Sequence, residues 1–173
     1  LVDVDFAETI QLAVNGPGAL TNAVKAAVGG IATYNNLTYT PTGDHESFVL
    51  AADDQDGGLE GNLSSVTSTA VISDIVATQL IFLIHPGASV SGQVMGIQPL
   101  VVAQNGGGVV DVDFTETVTL QISGGGSLTG ASVSAVEGVA AFTQLTHLVS
   151  ADHESFALIA NDEPTGVEGD LPA

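Results

Sequence analysis

Cysteine, tryptophan and arginine are absent from the chain, and Lys25 is its one basic side chain besides four histidines. Without cysteine there is no disulfide staple and no thiolate metal site. One base against 20 acidic residues leaves a net charge of -19, which excludes partnership with nucleic acid, whose phosphates bind through lysine and arginine. Aromatic residues are few: six Phe and two Tyr in 173 residues. No apolar run approaches the roughly 18 to 20 residues of a membrane-spanning helix, and Leu80 to Ile84 is only strand length. No signal peptide is visible. Aliphatic residues are nonetheless abundant enough to bury one or two modest cores, so the charge does not imply disorder. A self-repelling chain of this kind suits brine or a divalent-rich exterior, because the screening length shrinks to about 3 Å at 1 M salt.

What is present is a repeat. Residues 1–65 align without a gap onto 109–173, an offset of 108: Asp3-Val4-Asp5-Phe6 on Asp111-Val112-Asp113-Phe114, and Asp44-His45-Glu46-Ser47-Phe48 on Asp152-His153-Glu154-Ser155-Phe156. A period of that length is too long for a solenoid unit, typically about 20 to 50 residues, and matches one small domain. The expected organisation is unit 1 over 1–74 and unit 2 over 75–173, with the opening strands of unit 1 and the last strand of unit 2 missing. Such a chain is either part of a longer multidomain protein or a protomer whose units are completed by strands from identical neighbours, as in strand-exchange filaments.

The patterning is that of strands. Val118, Leu120 and Ile122 alternate with Thr117, Thr119 and Gln121, and Thr9 to Val14 repeats the alternation with Ile10, Leu12 and Val14. Further strands are expected at Gln79 to Ile84, Ile97 to Ala103, Ser127 to Ser134, Gly138 to Thr143 and Ser155 to Ala160, with Val66 to Ser73 closing unit 1. The Ala-rich stretch Ala19 to Val28 has helix composition, but its copy Ser127 to Val136 is rich in Ser, Val and Thr, so strand is expected for both. Gly and Asn fill the gaps, as at Asn105 to Gly108, Gly124 to Gly126 and Glu137-Gly138. About seven short strands per unit with regular turn signals point to an antiparallel β-sandwich.

The order Leu80-Ile81-Phe82, Pro86, Ser91-Gly92-Gln93, Gln98-Pro99-Leu100-Val101-Val102, Asn105-Gly106-Gly107, Val118-Thr119-Leu120, Gly126 to Gly130 and Glu137 to Leu145 resembles the bacterial Ig-like repeats of large secreted and cell-surface proteins, adhesins among them. The resemblance covers most of unit 2 and, through the internal alignment, unit 1. It departs at the two Asp residues flanking Val112 and at the Asp-His-Glu-Ser run before Phe156. It implies tandem Ig-like units in an extracellular, rod-like spacer, with no catalytic residue.

The carboxylates are grouped: nine fall in residues 1–65, ten in 109–173, and only Asp74 lies between. If the units follow Ig-like order in a head-to-tail rod, the loop holding Asp44, His45 and Glu46 meets the opposite pole of the next unit. Hard oxygen ligands then gather in the numbers calcium requires, about 6 to 8, where bare carboxylates would repel. The expected metal ligands of such a calcium-stiffened junction are Asp44, Glu46, Asp74, Asp111, Asp113 and Asp162; the plain alternative is solvated loop acids that confer salt tolerance. Asp54-Gln55-Asp56-Gly57-Gly58-Leu59-Glu60 has the alternating Asp of a calcium loop without its full pattern, and its copy at Asp162-Glu163-Pro164 breaks the alternation. Asp44, His45 and Ser47 do not make a hydrolase triad, which needs convergence from separate elements. In an extended strand His45 and Ser47 would share the outer face; the plainer reading is that Phe48 and Phe156 anchor a core strand and the polar residues before them form its entry turn. His85 and His147 have no second ligand at zinc spacing, and the glycine runs lack the Lys and helix of a phosphate loop.

The function expected is that of a non-enzymatic structural repeat of an extracellular surface or fibre protein, whose partners are neighbouring repeats of the same or identical chains. Carbohydrate binding, with cell-surface glycans as partner, is the alternative; it wants exposed aromatic platforms, for which Tyr39 is the one candidate. Assembly as a filament subunit is another.

Overall fold

The structure is a computed structural model that describes residues 1–54, 58–162, 164 and 166–172. Every regular element among them is a strand and every pairing is antiparallel, giving an all-β, sandwich-type architecture. Two compact units are distinguished, Leu1–Asp74 and Ile75–Ala173.

In the first unit β1 (Thr9–Asn15) lies between β3 (Val24–Ala26) and β5 (Ser47–Asp54), and β5 also pairs with the two-residue strands β6 (Val66–Thr67) and β7 (Val71–Ile72). A separate ribbon joins β2 (Ala19–Thr21) to β4 (Thr38–Thr40). In the second unit β10 (Thr117–Ser123) lies between β12 (Ser132–Ser134) and β15 (Ala157–Asn161). A second sheet runs β13 (Val139–Ala141), β9 (Leu100–Gln104), β8 (Gln79–Ile84), and a ribbon joins β11 (Ser127–Thr129) to β14 (Thr146–Leu148).

The duplicated segments fold alike down to register. Thr9 pairs with Ala26 as Thr117 does with Ser134, Leu12 with Ala52 as Leu120 with Ala160, and Ala19 with Thr40 as Ser127 with Leu148, each pair displaced by 108. Left-handed backbone recurs at the same places: Asn22 and Gly130, Gly29 and Glu137, Gly30 and Gly138, His45 and His153. Val28-Gly29-Gly30-Ile31 and Val136-Glu137-Gly138-Val139 are two-residue hairpin turns whose central residues both have positive φ, the geometry that matches strand twist. A Cβ at Gly138 would run into the Asp111 carbonyl, as one at Gly30 would into that of Asp3.

The core of the second unit is the better filled. Leu80 and Val101 from one sheet meet Val118 and Leu120 from the other, with Phe114, Phe142 and Leu145 buried between. β8 and β9 have no counterpart in the first unit within this chain, where Ala27 and Phe48 are buried while Val24, Val28 and Ile31 stay exposed.

Several strands differ from expectation for local reasons. The strand expected from Ile97 begins at Leu100, after Pro99, which has no N–H to donate. Gln98 is instead bound through its side chain to the Met95 and Leu145 backbone. Ser127 to Ser134 is broken at Gly130, whose φ is +67°, and Val66 to Ser73 is two short pieces on β5. Ala19 to Val28 forms strands, not helix. The polar residues before Phe48 form the entry turn expected of them: His45 has φ +54°, and the strand starts only at Ser47.

Candidate metal-binding clusters

The turn before β5 is shaped by its own acids. Asp44 Oδ1 accepts the His45 N–H at 2.8 Å, which holds His45 in the left-handed region. The chain returning through β7 then delivers Asp74, so that His45 Nε2 lies 4.0 Å from Asp44 Oδ1 and 3.8 Å from Asp74 Oδ1. The Asp44 side chain is buried while Asp74 is exposed. Ligand atoms of these three residues lie within 4.8 Å of one another, close enough to hold a metal ion. Two carboxylates and one imidazole suit calcium less specifically than an all-oxygen set would. His45, in the sequence a companion of the turn, is thus a member of the cluster.

Glu46, Asp111 and Asp162, three of the other expected ligands, are engaged differently. Glu46 turns back on its own loop, accepting from the Thr42 N–H at 2.9 Å, the Thr42 hydroxyl and Tyr39 Oη at 2.7 Å. The Thr42 hydroxyl, with the Tyr39 and backbone bonds, holds its carboxyl below the ordinary 4.5. Tyr39 stacks on Phe48 at 3.9 Å between ring centres, so it is no free platform for a sugar; burial and then the Glu46 bond push its pKa up. In the second unit the same positions hold His147, Glu154 and Phe156: His147, fully buried, lies 4.1 Å from the Phe156 ring with Nε2 3.2 Å from the Gly125 carbonyl. Glu154 accepts from the Ser150 hydroxyl and N–H, which lower its pKa.

Asp111, 1% exposed, is a backbone clamp. Its Oδ1 accepts from Asp113 N at 3.0 Å and Phe114 N at 3.1 Å, and its Oδ2 from Ala77 N at 2.8 Å. Asp113 is exposed in the turn so formed. Asp162 is buried, and its Oδ1 caps Leu171 N at 3.0 Å. Of the suspected calcium loop, Asp54 caps Leu63 in the same way, and Gln55 to Gly57 lie outside the described residues. So does Glu163.

One pair of acids was not singled out from the sequence. Glu8 and Glu116, related by the repeat, pack so closely over Gly58 and Gly166 that a Cβ on either glycine would overlap the carboxylate. The signal was there: Glu8, Asp54 and Glu60 recur as Glu116, Asp162 and Glu168.

No protein-family model matches the chain, and no curated protein matches it. Two solved structures of Parabacteroides merdae β-glucuronidase, one with glycerol in its active site, are weakly similar, at 16% and 15% identity. The alignments cover 89% and 91% of this chain but 20% and 21% of those chains, with a TM-score of 0.26 in both. This chain therefore spans about a fifth of their length, and a superposition of that quality bears on neither its fold nor its activity.

Proposed function

We propose that the chain is a non-enzymatic structural repeat module of an extracellular surface or fibre protein, built from Ig-like units that act as spacer or adhesive stalk. The observation that carries this reading is the position-for-position recurrence in both copies of register, positive-φ turns and a carboxylate latch, Glu46 held by Thr42 and Glu154 by Ser150. A repeat preserved at that level serves a role in which each unit does the same mechanical work. The acidic, lysine-poor surface fits a cation-rich exterior. Within this reading the Asp44, His45 and Asp74 group takes calcium and stiffens the end of the first unit.

The full chain on a glycan array and in a glycosidase panel is expected to give neither saturable binding nor turnover. Specific binding of one sugar class would replace the spacer reading with a carbohydrate-binding one, and turnover would make it an enzyme. Calcium is expected to raise the melting temperature of the wild type by a margin that shrinks in an Asp44→Asn, Asp74→Asn variant.

A further inference from the structure

The second unit shows what covers a face that the first leaves open. There β13 pairs with β9, and β9 with β8. The copy of β13, Ile31 to Thr33, is not a strand, although Ile-Ala-Thr suits one as well as Val-Ala-Ala does. What it lacks is a neighbour. Phe114, Val118 and Leu120 are buried in the cluster that Leu80, Val101 and Ala103 of β8 and β9 complete, whereas their copies Phe6, Ile10 and Leu12 are only half-buried. Leu171 is 4% exposed and its copy Leu63 is 47% exposed. A cavity of about 460 Å³, whose lining includes Asp3, Phe6, Ile10 and Leu63, marks the open face. In the second unit chain runs over the equivalent residues: Ala77 N donates to Asp111 Oδ2 at 2.8 Å, Leu80 N to the Pro172 carbonyl at 3.1 Å and Ala103 N to the Gly138 carbonyl at 2.9 Å. The Asp111 N–H donates to the Ala103 carbonyl and the Phe142 N–H to that of Pro99, both at 3.2 Å. The matching Gly30 carbonyl, Asp3 N–H and Tyr34 N–H of the first unit have no hydrogen-bond partner among the described residues.

We propose that this open face of the first unit is a docking surface for the β8–β9 hairpin of a further repeat, a second copy of residues 75–108 over and above the one that the second unit uses. The hairpin brings main-chain partners for the edge at Ile31 to Thr33 and alternate apolar side chains for the cavity, the combination by which a sheet edge takes up an added strand. Its Ala77 N–H would meet the Asp3 carboxylate as it meets that of Asp111. Charge selects the same occupant. Residues 75–108 carry no acidic or basic side chain apart from His85, so they can approach a unit of ten carboxylates and one lysine without repulsion. Two open faces brought together would instead set acid against acid. The hairpin already in the second unit is no source, because removing it would open that unit as much as it closes the first. The chain alone is therefore expected to be monomeric. The inference rests on the comparison of the two copies and holds whether or not the chain serves as a spacer.

The test titrates a fluorescently labelled peptide of residues 75–108 with the full chain and follows its anisotropy. Saturable one-to-one binding is expected. Leu80→Asp in the peptide puts a charge where the buried cluster has a leucine and should weaken binding at least about tenfold, whereas Leu83→Ser, at an exposed position, should leave it unchanged. On the chain, Leu63→Asp and separately Asp3→Ala, both at exposed positions, should each weaken it about tenfold, with circular dichroism confirming that the strands are retained. A copy of 75–108 joined directly ahead of Leu1, where the 108-residue spacing puts it, makes the same test in one molecule. There the Tyr34 amide should become as protected from hydrogen exchange as the Phe142 amide, and should lose that protection when the added copy carries Leu80→Asp. Failure of the peptide to bind, together with an unprotected Tyr34 amide in the joined chain, would overturn the inference, as would peptide binding indifferent to Leu80→Asp. So would sedimentation showing the chain alone to be a dimer that Leu63→Asp dissolves, since the face would then be covered by a second copy of the first unit.

Discussion

Acidic side chains in this protein do different jobs at equivalent positions, and burial decides which. Asp111 and Asp3 are repeat partners, and both accept the N–H two residues on at 3.0 Å. Asp111 is buried and also holds Phe114 N and Ala77 N, whereas Asp3 is exposed. Asp111→Ala strands buried donors of a charge-assisted set and is expected to destabilise the second unit by about 3 kcal/mol. Asp3→Ala should change stability by about 0.5 kcal/mol or less. Urea unfolding of the two variants checks the contrast, and equal effects would mean that the Asp111 bonds are not formed in solution. Glu154 gives a pH dependence of definite sign. Its Ser150 bonds depress the folded-state pKa below the ordinary 4.5, so the stability it adds is fully present above that value and is lost as pH falls through the folded-state one. The melting temperature of the wild type should therefore fall more steeply below pH 4.5 than that of Glu154→Gln. Parallel curves would exclude the latch as a source of acid sensitivity.

Strands and turns carry the next layer of argument. The Glu137-Gly138 hairpin needs φ > 0 at both positions, and at Gly138 a methyl group would also meet the Asp111 carbonyl. Gly138→Ala is expected to cost about 2 kcal/mol or more, from left-handed strain plus the overlap with backbone, measured as a lower urea midpoint for the second unit. Ala at Gly29, with open space around it, should cost only the strain. Such elements were legible in the sequence wherever alternation or glycine carried them. β1, β8 and β10 fall within a residue of where Ile10-Leu12-Val14, Leu80-Phe82 and Val118-Leu120-Ile122 put them, and the 108-residue offset fixed β2 and β3 against the helix-like composition of Ala19 to Val28. β4 and β14 were not legible, because three residues such as Thr38-Tyr39-Thr40 show no period and owe their strand state to their partners β2 and β11. The entry turn before Phe48 was legible from its polar residues, but its left-handed backbone at His45 was not, since that is set by an Asp44 side-chain bond and not by a glycine. Candidate ligands were legible as residue types but not as groupings. Pattern alone could not say that Asp111 points at amides while Glu116 reaches under Gly166 to the Val167 N–H.

The molecule taken together is two cores of unequal quality under nearly equal charge. Ten carboxylates and Lys25 belong to the first unit, ten carboxylates and no fixed base to the second. Self-repulsion therefore weakens both, and salt should relieve both, since about 1 M sodium chloride screens charges beyond about 3 Å. The cores differ more. Phe114 and Leu120 are almost wholly buried in the second unit, whereas their copies Phe6 and Leu12 in the first are only half-buried. Calorimetry of the full chain is expected to show two transitions, both moving up with salt, with the second unit melting at the higher temperature. Leu145→Ala identifies the transitions. Removing a side chain with no exposed surface costs about 2–5 kcal/mol, and for a unit of about 100 residues each kcal/mol shifts the midpoint by about 4–8 °C. The upper transition should drop by about 10 °C or more while the lower one stays in place. A single transition that moves as one body in Leu145→Ala would show that the two units fold as a cooperative whole, and the repeat would then have to be understood as one domain built twice over.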